Sequence, residues 1–344
     1  MKTLIEDYPN HPGEHCGSVA MRSLLAHYCD LELPEDVVFG LGAGLGCGYL
    51  DLPGMDPAAI VFGRTGSMEA DLAECLGVDY QEAPESDDDR AWQVVREEIL
   101  AGRPTMLSGD IFYLDYRDYK VHFPGHRFVL LGFDDEREVV WIADRINVEP
   151  EVCSYGALFR SRNPPEGLST RNLWGRFAGG AVKHDLHTAS RMALRKCSGR
   201  MLGEGGGSFD SLEGADSEVG ATGVAAIRRF AAELPGWGVR DDAQALASYN
   251  GSVLEKFGNG GGNFRRMYAG YLEWARDLDP VSVPAEAPPL AWQSAEKWTA
   301  LAHLLWSASE GNDTWQDAAS LAAEIADLEQ QLFERIASTL PAAD

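Results

Sequence analysis

A cysteine stands at the predicted first turn of an amphipathic helix in the stretch NHPGEHCGSVAMRSLLAHY, residues 10–28. After Cys16, apolar side chains recur at the i, i+3, i+4, i+7 spacing of a helix with one buried face, at Met21, Leu24, Leu25 and Tyr28. The N–H groups and positive dipole end of a helix N-terminus favour the thiolate form of a cysteine placed there. Cys16 is therefore a candidate nucleophile, although a single buried cysteine is more often a small hydrophobic side chain.

A nucleophilic thiol also needs a base, usually an imidazole, and a third group that orients that base. The run FVLLGFDDEREVVWIAD predicts a β-hairpin, in which His126 begins the first strand and Asp144 ends the second. If the turn centres on Asp135, opposed residue numbers sum to 270, which pairs His126 with Asp144 on one face. A slip of one residue would separate them. Each residue alone has a structural interpretation, but together with Cys16 they predict a Cys–His–Asp triad.

Further elements predict an α+β fold in two domains, a mixed domain over residues 1–150 and a mainly helical domain over 151–344. Both hairpin strands are apolar at successive positions, which predicts that they lie inside the sheet. The glycine run FGLGAGLGCGYL lacks the phosphate-loop patterns, so we interpret it as a flexible pocket wall. Residues 203–220, rich in Gly, Ser and acids, predict a mobile loop. Apolar periodicity predicts helices from about Pro34 and over about 68–76, 88–100, 186–201, 222–234, 241–257, 263–278, 291–309 and 314–338.

Charge and cysteine usage narrow the function classes. A formal net charge of −25 disfavours nucleic acid and anionic membranes as partners, and is compatible with cationic ligands or simply with high solubility. The six cysteines form no CxxC pairs, so we expect no metal site and reduced thiols. With no secretory signal pattern or membrane-length apolar run, we expect a cytoplasmic location.

Several stretches resemble the family of butirosin-biosynthesis protein H. The family's His-Cys opening resembles HCGSVAMRSLLAHY, its Phe-Gly run resembles VVFGLGAGLG, and its base motif resembles GHRFVLLGFDDE, preceded by LSGDIFYLDYRD. The family's companion helical domain resembles TGVAAIRRFAAELPGW and GNGGGNFRRMYAGYLEWA. The resemblance extends over nearly the whole chain and implies a papain-like N-terminal domain.

The resemblance also implies a reaction, because the family's namesake is an acyltransferase that passes an aminoacyl chain from an acyl carrier protein to an aminoglycoside amine. Cys16 would accept the acyl group, His126 would act as the base and Asp144 would orient it. No cofactor is expected to be bound, and the donor would be a phosphopantetheine thioester. A more distant similarity, to bacteriocin-processing cysteine peptidases, implies Asn10 as the oxyanion donor. A hydrolase or peptidase with the same triad, and a non-catalytic small-molecule-binding protein, remain alternatives.

Other residues are candidates for contacts with substrate. Beside the cysteine these are Glu14 and His15, although the His15 ring is expected to point away from the thiol. Upstream of His126 they are Asp110 and Tyr113, which have an equally ordinary interpretation as an edge-strand acid and a core ring. In the second domain Arg265 could bind a carboxylate or a phosphate, and Tyr268 is either a contact or core. An acidic carrier protein would need a basic patch, which could come from Arg160, Arg162, Arg171, Arg176 and Lys183.

Overall fold

The chain divides into two compact units, each built from two stretches of sequence. The structure, a computed structural model, describes residues 1–52, 54, 56–164, 169–204 and 220–341. Unit 1 comprises Met1–Glu35 and Val78–Lys183, and unit 2 comprises Asp36–Gly77 and His184–Asp344. This division differs from the expected boundary at residue 150, because the first unit continues to residue 183 and residues 36–77 belong with the C-terminal helices.

The helices agree closely with the apolar periodicity. In chain order they are α1 (Cys16–Cys29), α2 (Glu35–Leu41), α3 (Met68–Leu76), α4 (Asp88–Leu100), α5 (Tyr155–Arg162), α6 (Leu186–Met201), α7 (Gly223–Trp237), α8 (Ala243–Glu255), α9 (Arg265–Leu278), α10 (Ala287–Ser309) and α11 (Trp315–Thr339). Side-chain oxygens cap the N-termini of several of these helices. Asp87 accepts from the Arg90 N–H at α4, and Asp185 accepts from the Thr188 N–H at α6. The predicted end of the helix at about residue 234 is too early, since α7 continues through Pro235 to Trp237.

The strands form two separate antiparallel sheets, one in each unit. In chain order they are β1 (Lys2–Leu4), β2 (Leu45–Asp51), β3 (Ala59–Arg64), β4 (Tyr80–Ala83), β5 (Thr105–Gly109), β6 (His126–Asp134), β7 (Val139–Ala143), β8 (Glu151–Ser154), β9 (Trp174–Phe177) and β10 (Gly220–Thr222). A short 3₁₀ turn lies at Ile111–Tyr113. The protein is thus a mixed α and β structure with a helical C-terminal region.

The sheet of unit 1 contains the predicted hairpin. Its strands follow the order β4-β9-β5-β6-β7-β8, and β1 also pairs with the far end of β6. Strands β6 and β7 each have neighbours on both sides, which confirms that the hairpin lies inside the sheet. Helix α1 packs on β6 and β9, α4 contacts β1, β5 and β6, and α5 contacts β5 and β8.

One apolar cluster occupies the core of unit 1. It combines side chains of α4, α5 and the central strands, and includes Val95, Ile99, Leu107, Phe128, Leu130, Phe133, Val140 and Ile142. Half-buried rings, Trp92, Tyr116 and Tyr155 among them, pack against this cluster. Because the hairpin is apolar on successive residues, its strands are fixed on both faces, and its ends have defined positions.

Unit 2 is a helical assembly around a three-stranded sheet of order β10-β2-β3. Helix α7 packs on α11 and β2, and α10 packs between α8, α9 and α11. The glycine run falls at the end of α2 and in β2, so its interpretation as a flexible pocket wall is wrong. These glycines are buried because neighbours pack directly on their backbone: a Cβ at Gly40 would overlap the Tyr271 ring, and one at Gly42 would lie 2.8 Å from the Met68 carbonyl oxygen.

Three further expectations concern the loop at 203–220, membrane-spanning helices and the cysteines. The predicted mobile loop at 203–220 lies mostly outside the described residues. Within the described part of the chain, no helix combines the length and the apolar character that crossing a bilayer requires. None of the six cysteines, all of which lie among the described residues, forms a disulfide.

Candidate active site

His126 and Asp144 meet in the interior of unit 1. His126 Nε2 lies 3.1 Å from Asp144 Oδ2, and the two residues are 2% and 3% exposed. His126 is the first residue of β6, and Asp144 directly follows β7. The expected contact between imidazole and carboxylate is therefore present.

The register that produces this contact differs from the expected one. Near the site, Val129 pairs with Ala143 and Leu130 with Ile142, and a bulge then changes the register before Gly132 pairs with Trp141. Continuing the first register places Asp144 opposite Phe128 rather than opposite His126. The offset is two residues, and because side chains alternate with a period of two, both residues keep the same face. Diagonal neighbours have Cβ atoms about 7–8 Å apart, which the His and Asp side chains can bridge.

Cys16 is the first residue of α1 and is 7% exposed. A side-chain hydrogen bond joins it to His126. Since Nε2 of the imidazole faces Asp144, Nδ1 is the nitrogen that remains for the thiol. Cys16, at the positive end of a helix, and Asp144 thus both interact with the His126 side chain.

His126 and Asp144 each stabilise the charged form of the other. Burial by itself lowers the pKa of His126, but the charge of Asp144 and the hydrogen bonds to Asp144 and Cys16 outweigh it and raise the pKa to about 10. Burial by itself raises the pKa of Asp144, but the charge of His126 and the hydrogen bonds from His126, the Arg145 N–H and Tyr116 lower it to about 2. At neutral pH the pair is an imidazolium with a carboxylate, and an imidazolium beside a sulfur stabilises a thiolate.

The segment before α1 is tied to the segment after β7. The Asn10 Nδ2 group donates to the carbonyl oxygens of Asp144 at 3.2 Å and Asn147 at 2.7 Å, and the Gly13 N–H donates to the Arg145 carbonyl at 2.8 Å. Both hydrogens of the Asn10 amide are engaged by these carbonyls. The expectation that Asn10 is an oxyanion donor is therefore corrected: its amide holds the cysteine segment against the aspartate segment.

A second anchor for the cysteine, which the sequence interpretation missed, is Glu35. Its carboxylate accepts from the backbone N–H of His15 at 2.7 Å and from that of Glu14 at 3.0 and 3.1 Å. Burial raises the pKa of Glu35, and the bonds from His15 and Glu14 oppose this rise. A Cβ at Gly13 would overlap this carboxylate and the Val19 side chain, so glycine is needed for the approach. In the sequence, the Pro12–Gly13 dipeptide in front of the cysteine was the signal for a close approach of another segment to the backbone.

Tyr116 is the other missed residue. Its hydroxyl donates to Asp144 Oδ2 at 2.8 Å, while the Arg145 N–H donates to Oδ1 at 2.7 Å. Tyr116 is separated from Asp144 by 28 positions, and nothing in the local sequence marks it as a partner.

The predicted substrate contacts of unit 1 have internal roles or no resolved role. The His15 ring caps α1, with Nδ1 accepting from the Ser18 N–H at 3.2 Å. Asp110 is buried, and its carboxylate accepts from the N–H groups of Phe112 and Phe123 and pairs with His122 at 2.7 Å. It organises the loop before His126, which corrects its expected contact with a ligand. Glu14 is exposed and Tyr113 half-exposed, and for both a contact with substrate stays a prediction.

The predicted contacts of unit 2 are core residues, which corrects both assignments. Arg265 is 1% exposed and forms a bidentate pair with Glu329, both N···O distances being 2.8 Å. Its guanidinium also donates to the Asn263 carbonyl at 2.8 Å and lies over the Trp298 ring. Tyr268 is fully buried, with its ring near Tyr271 and Phe333. The alternative interpretation of Tyr268 as a core residue is confirmed.

Of the five basic residues expected to supply a carrier-docking patch, one is buried and two pair with carboxylates. Arg162 is buried and donates to the Asn172 carbonyl at 3.1 Å, and burial lowers its pKa to about 10. Arg176 pairs with Glu98 at 2.7 Å, and Lys183 with Asp79 at 3.2 Å. Arg160 and Arg171 are exposed. No group of three or more His, Cys, Asp or Glu side chains among the described residues has the arrangement of a metal site.

Two models of known families match the chain. Residues 15–145 match the model described as butirosin biosynthesis protein H, N-terminal. Residues 165–336, half of the chain, match a model described as a domain of unknown function, DUF4872. No curated protein matches the chain. The first match begins at the residue before Cys16 and ends at the residue after Asp144.

Proposed function

The chain belongs to the butirosin biosynthesis protein H family, and we propose that it is a cysteine-dependent N-acyltransferase in secondary-metabolite biosynthesis. In this proposal the N-terminal unit is a papain-like catalytic domain. The family description supports a role in antibiotic biosynthesis. The chemistry rests on the residues of unit 1.

The observation that carries the proposal is the continuous hydrogen-bonded series from Cys16 through His126 to Asp144. A thiol, an imidazole and a carboxylate joined in this order are the parts that nucleophilic acyl transfer requires. A cysteine that only fills the core needs neither a buried imidazolium nor a carboxylate held by three donors. The arrangement therefore favours catalysis over packing.

The first half-reaction transfers the acyl group to the enzyme. The Cys16 thiolate attacks the carbonyl carbon of a thioester, and a new C–S bond forms. The bond between the carbonyl carbon and the donor sulfur then breaks, and His126 gives its proton to the departing thiolate. The product is an acyl-enzyme with a neutral His126.

The second half-reaction forms the amide. The acceptor amine attacks the acyl-enzyme carbonyl, and neutral His126 removes a proton from the amine nitrogen. The bond to Cys16 Sγ breaks, and the thiolate–imidazolium pair is restored. Asp144 stabilises the positive imidazole in both halves of the cycle. We assign the oxyanion to backbone N–H groups of the first turn of α1, because the Asn10 amide is engaged elsewhere.

The acyl donor in this proposal is a thioester. Its acyl group is carried either on the phosphopantetheine arm of an acyl carrier protein or on a smaller thiol. The net charge of −25 opposes docking of an acidic carrier by charge. The pairing of Arg176 and Lys183 and the burial of Arg162 remove much of the expected basic patch. The same net charge attracts cationic acceptors, so we propose a small molecule with several amino groups as the acyl acceptor.

The test is the partition of the acyl-enzyme. The protein is incubated with aminoacyl thioesters of N-acetylcysteamine, with and without an aminoglycoside, and amide and free acid are quantified. An acyltransferase yields amide in proportion to the amine, whereas a hydrolase yields free acid whether or not amine is present. A binding protein yields neither product above the level of a Cys16→Ala control.

A further inference from the structure

Residues 115–119, which we name the strap, are fastened to the segment that carries Asp144 by three side-chain contacts. Asp115 accepts from the N–H of Ser154 at 3.1 Å and from its hydroxyl at 2.5 Å. Arg117 pairs with Glu151. Between these two contacts, the Tyr116 hydroxyl donates to Asp144 Oδ2 at 2.8 Å. The middle contact ends on the carboxylate that binds His126, so the strap connects directly to the candidate triad.

The oxygen that Tyr116 binds is the one that faces the imidazole. Oδ2 lies 2.8 Å from the Tyr116 hydroxyl and 3.1 Å from His126 Nε2, and Oδ1 accepts from the Arg145 N–H. Burial and the charge of Asp144 raise the pKa of Tyr116 far above its ordinary value, so the phenol remains a donor throughout the physiological range. The carboxylate is thus held at both oxygens, and its plane is fixed relative to the imidazole.

We propose that Tyr116 is a positioning residue for the Cys16–His126–Asp144 group, and that the strap exists to hold its hydroxyl against Oδ2. This inference rests on the proposed function of the triad. Removing the hydroxyl leaves the carboxylate, apart from its bond to the imidazole itself, fixed by one backbone donor on Oδ1. Oδ2 can then rotate away from Nε2, and the imidazolium loses the partner that keeps it protonated and oriented.

Electrostatics alone predicts the opposite outcome. A phenol that donates to a carboxylate withdraws part of its charge, so a carboxylate without that donor would attract a correctly placed imidazolium more strongly. Loss of positioning therefore lowers the pKa of His126, whereas loss of charge withdrawal alone raises it. The other titratable or charged groups that face this site are Cys16, Arg117, Tyr119, Arg145, Glu151 and Cys153.

The experiment compares Tyr116→Phe with Tyr119→Phe in the full-length chain. Tyr119 lies on the same strap, and its ring packs edge-on against the Tyr116 ring at a centroid distance of 6.4 Å. Among the hydrogen bonds that the structure describes, it is the Tyr116 hydroxyl that donates to Asp144. The rate of alkylation of Cys16 by iodoacetamide is measured from pH 5 to 10 by peptide mapping. Cys29, a half-exposed free thiol, serves as the internal reference. This assay needs no acyl donor.

For Tyr116→Phe we expect Cys16 alkylation to slow about tenfold near neutral pH, and the acid limit of alkylation to rise by about one pH unit, because a poorly held imidazolium stabilises the thiolate less. Tyr119→Phe is expected to keep the wild-type profile. A Tyr116→Phe profile with its acid limit unmoved, or moved to lower pH, overturns the positioning role while leaving the triad intact. A wild-type Cys16 no more reactive than Cys29 overturns the proposed function and this inference together.

Discussion

Asp144 is offset by two residues from His126 in the register of β6 and β7, and its Oδ2 nevertheless lies 3.1 Å from His126 Nε2. The contact is diagonal, so it needs both side chains to extend toward each other across the face of the sheet. Diagonal contacts are long enough that a carboxylate can turn away unless something holds it. Tyr116 and the Arg145 N–H supply that restraint, which gives the carboxylate one orientation before any substrate binds.

The charge of Asp144 is expected to matter more than its shape. Asp144→Asn keeps the volume but removes the charge that raises the pKa of His126, so the imidazolium and the thiolate become less stable at neutral pH. We expect the rate of Cys16 alkylation at pH 7 to fall by about a hundredfold.

The matched control is Asp134→Asn, at the other end of β6, where the carboxylate accepts from the Glu136 and Arg137 N–H groups. It is expected to leave the alkylation rate within about twofold of wild type. Equal losses in the two variants would mean that the sheet, rather than the pairing with His126, controls the thiol.

Gly13 is expected to be required for the structure of the cysteine segment. Gly13→Ala places a methyl group where the Glu35 carboxylate and Val19 lie, and overpacking of this kind costs about 1–3 kcal/mol. The free energy of unfolding in urea measures the loss. Gly156→Ala in α5 is the control, because nothing lies within 4 Å of its Cβ, and we expect it to be neutral or stabilising. A neutral Gly13→Ala would show that the contact between Glu35 and this segment is dispensable.

Arg265 is expected to affect stability and not the reactivity of the thiol. Arg265→Met leaves the Glu329 carboxylate buried without its ionic partner, which costs about 3–5 kcal/mol. Arg228→Ala removes an exposed pair with Asp327 and is expected to cost less than about 1 kcal/mol. Both are measured by urea unfolding, with Cys16 alkylation as a second readout. A variant of Arg265 that folds with wild-type stability but loses binding of a carboxylate or phosphate ligand would restore the interpretation suggested by the sequence.

The stability of unit 1 is expected to decline at alkaline pH through His126. Its pKa in the folded state is raised to about 10, above the roughly 6.5 of an unfolded histidine. The unfolded chain thus loses this proton first as pH rises. The stabilisation is present in full below about pH 6.5 and disappears as pH approaches 10. The difference in unfolding free energy between wild type and His126→Gln should shrink over this interval. A constant difference would mean that the imidazole is not held as an imidazolium.

The sequence predicted what depends on local pattern. The helix beginning at Cys16 and the apolar hairpin were both recoverable, because a period of 3.6 or a continuous apolar run reports burial directly. The hairpin register was wrong because the turn does not centre on Asp135: Asp134 pairs with Val139, an offset of three residues from the expected register, and the bulge between Leu130 and Gly132 reduces that offset to two near the site. The contact between His126 and Asp144 is retained because an offset of two residues leaves both side chains on the same face of the sheet.

The sequence did not predict what depends on long-range packing. Tyr116 and Glu35 reach the site across 28 and 20 positions respectively, and neither type of residue has a spacing that marks such a partner. The sequence predicted that Arg265 binds a carboxylate or a phosphate, because a basic residue after a glycine run resembles an anion-binding site. Its partner, Glu329, lies 64 positions away in α11, and only the fold shows that the two are buried together.

The most direct test of the central claim is the intact mass of the protein after incubation with an aminoacyl thioester of N-acetylcysteamine, followed by peptide mapping. The account predicts a single acyl addition on the peptide that contains Cys16. That addition should be absent in Cys16→Ala, greatly slowed in His126→Ala, retained in Cys29→Ala, and released as amide when an amine is added. No addition to wild type, or equal addition at Cys29, would contradict it.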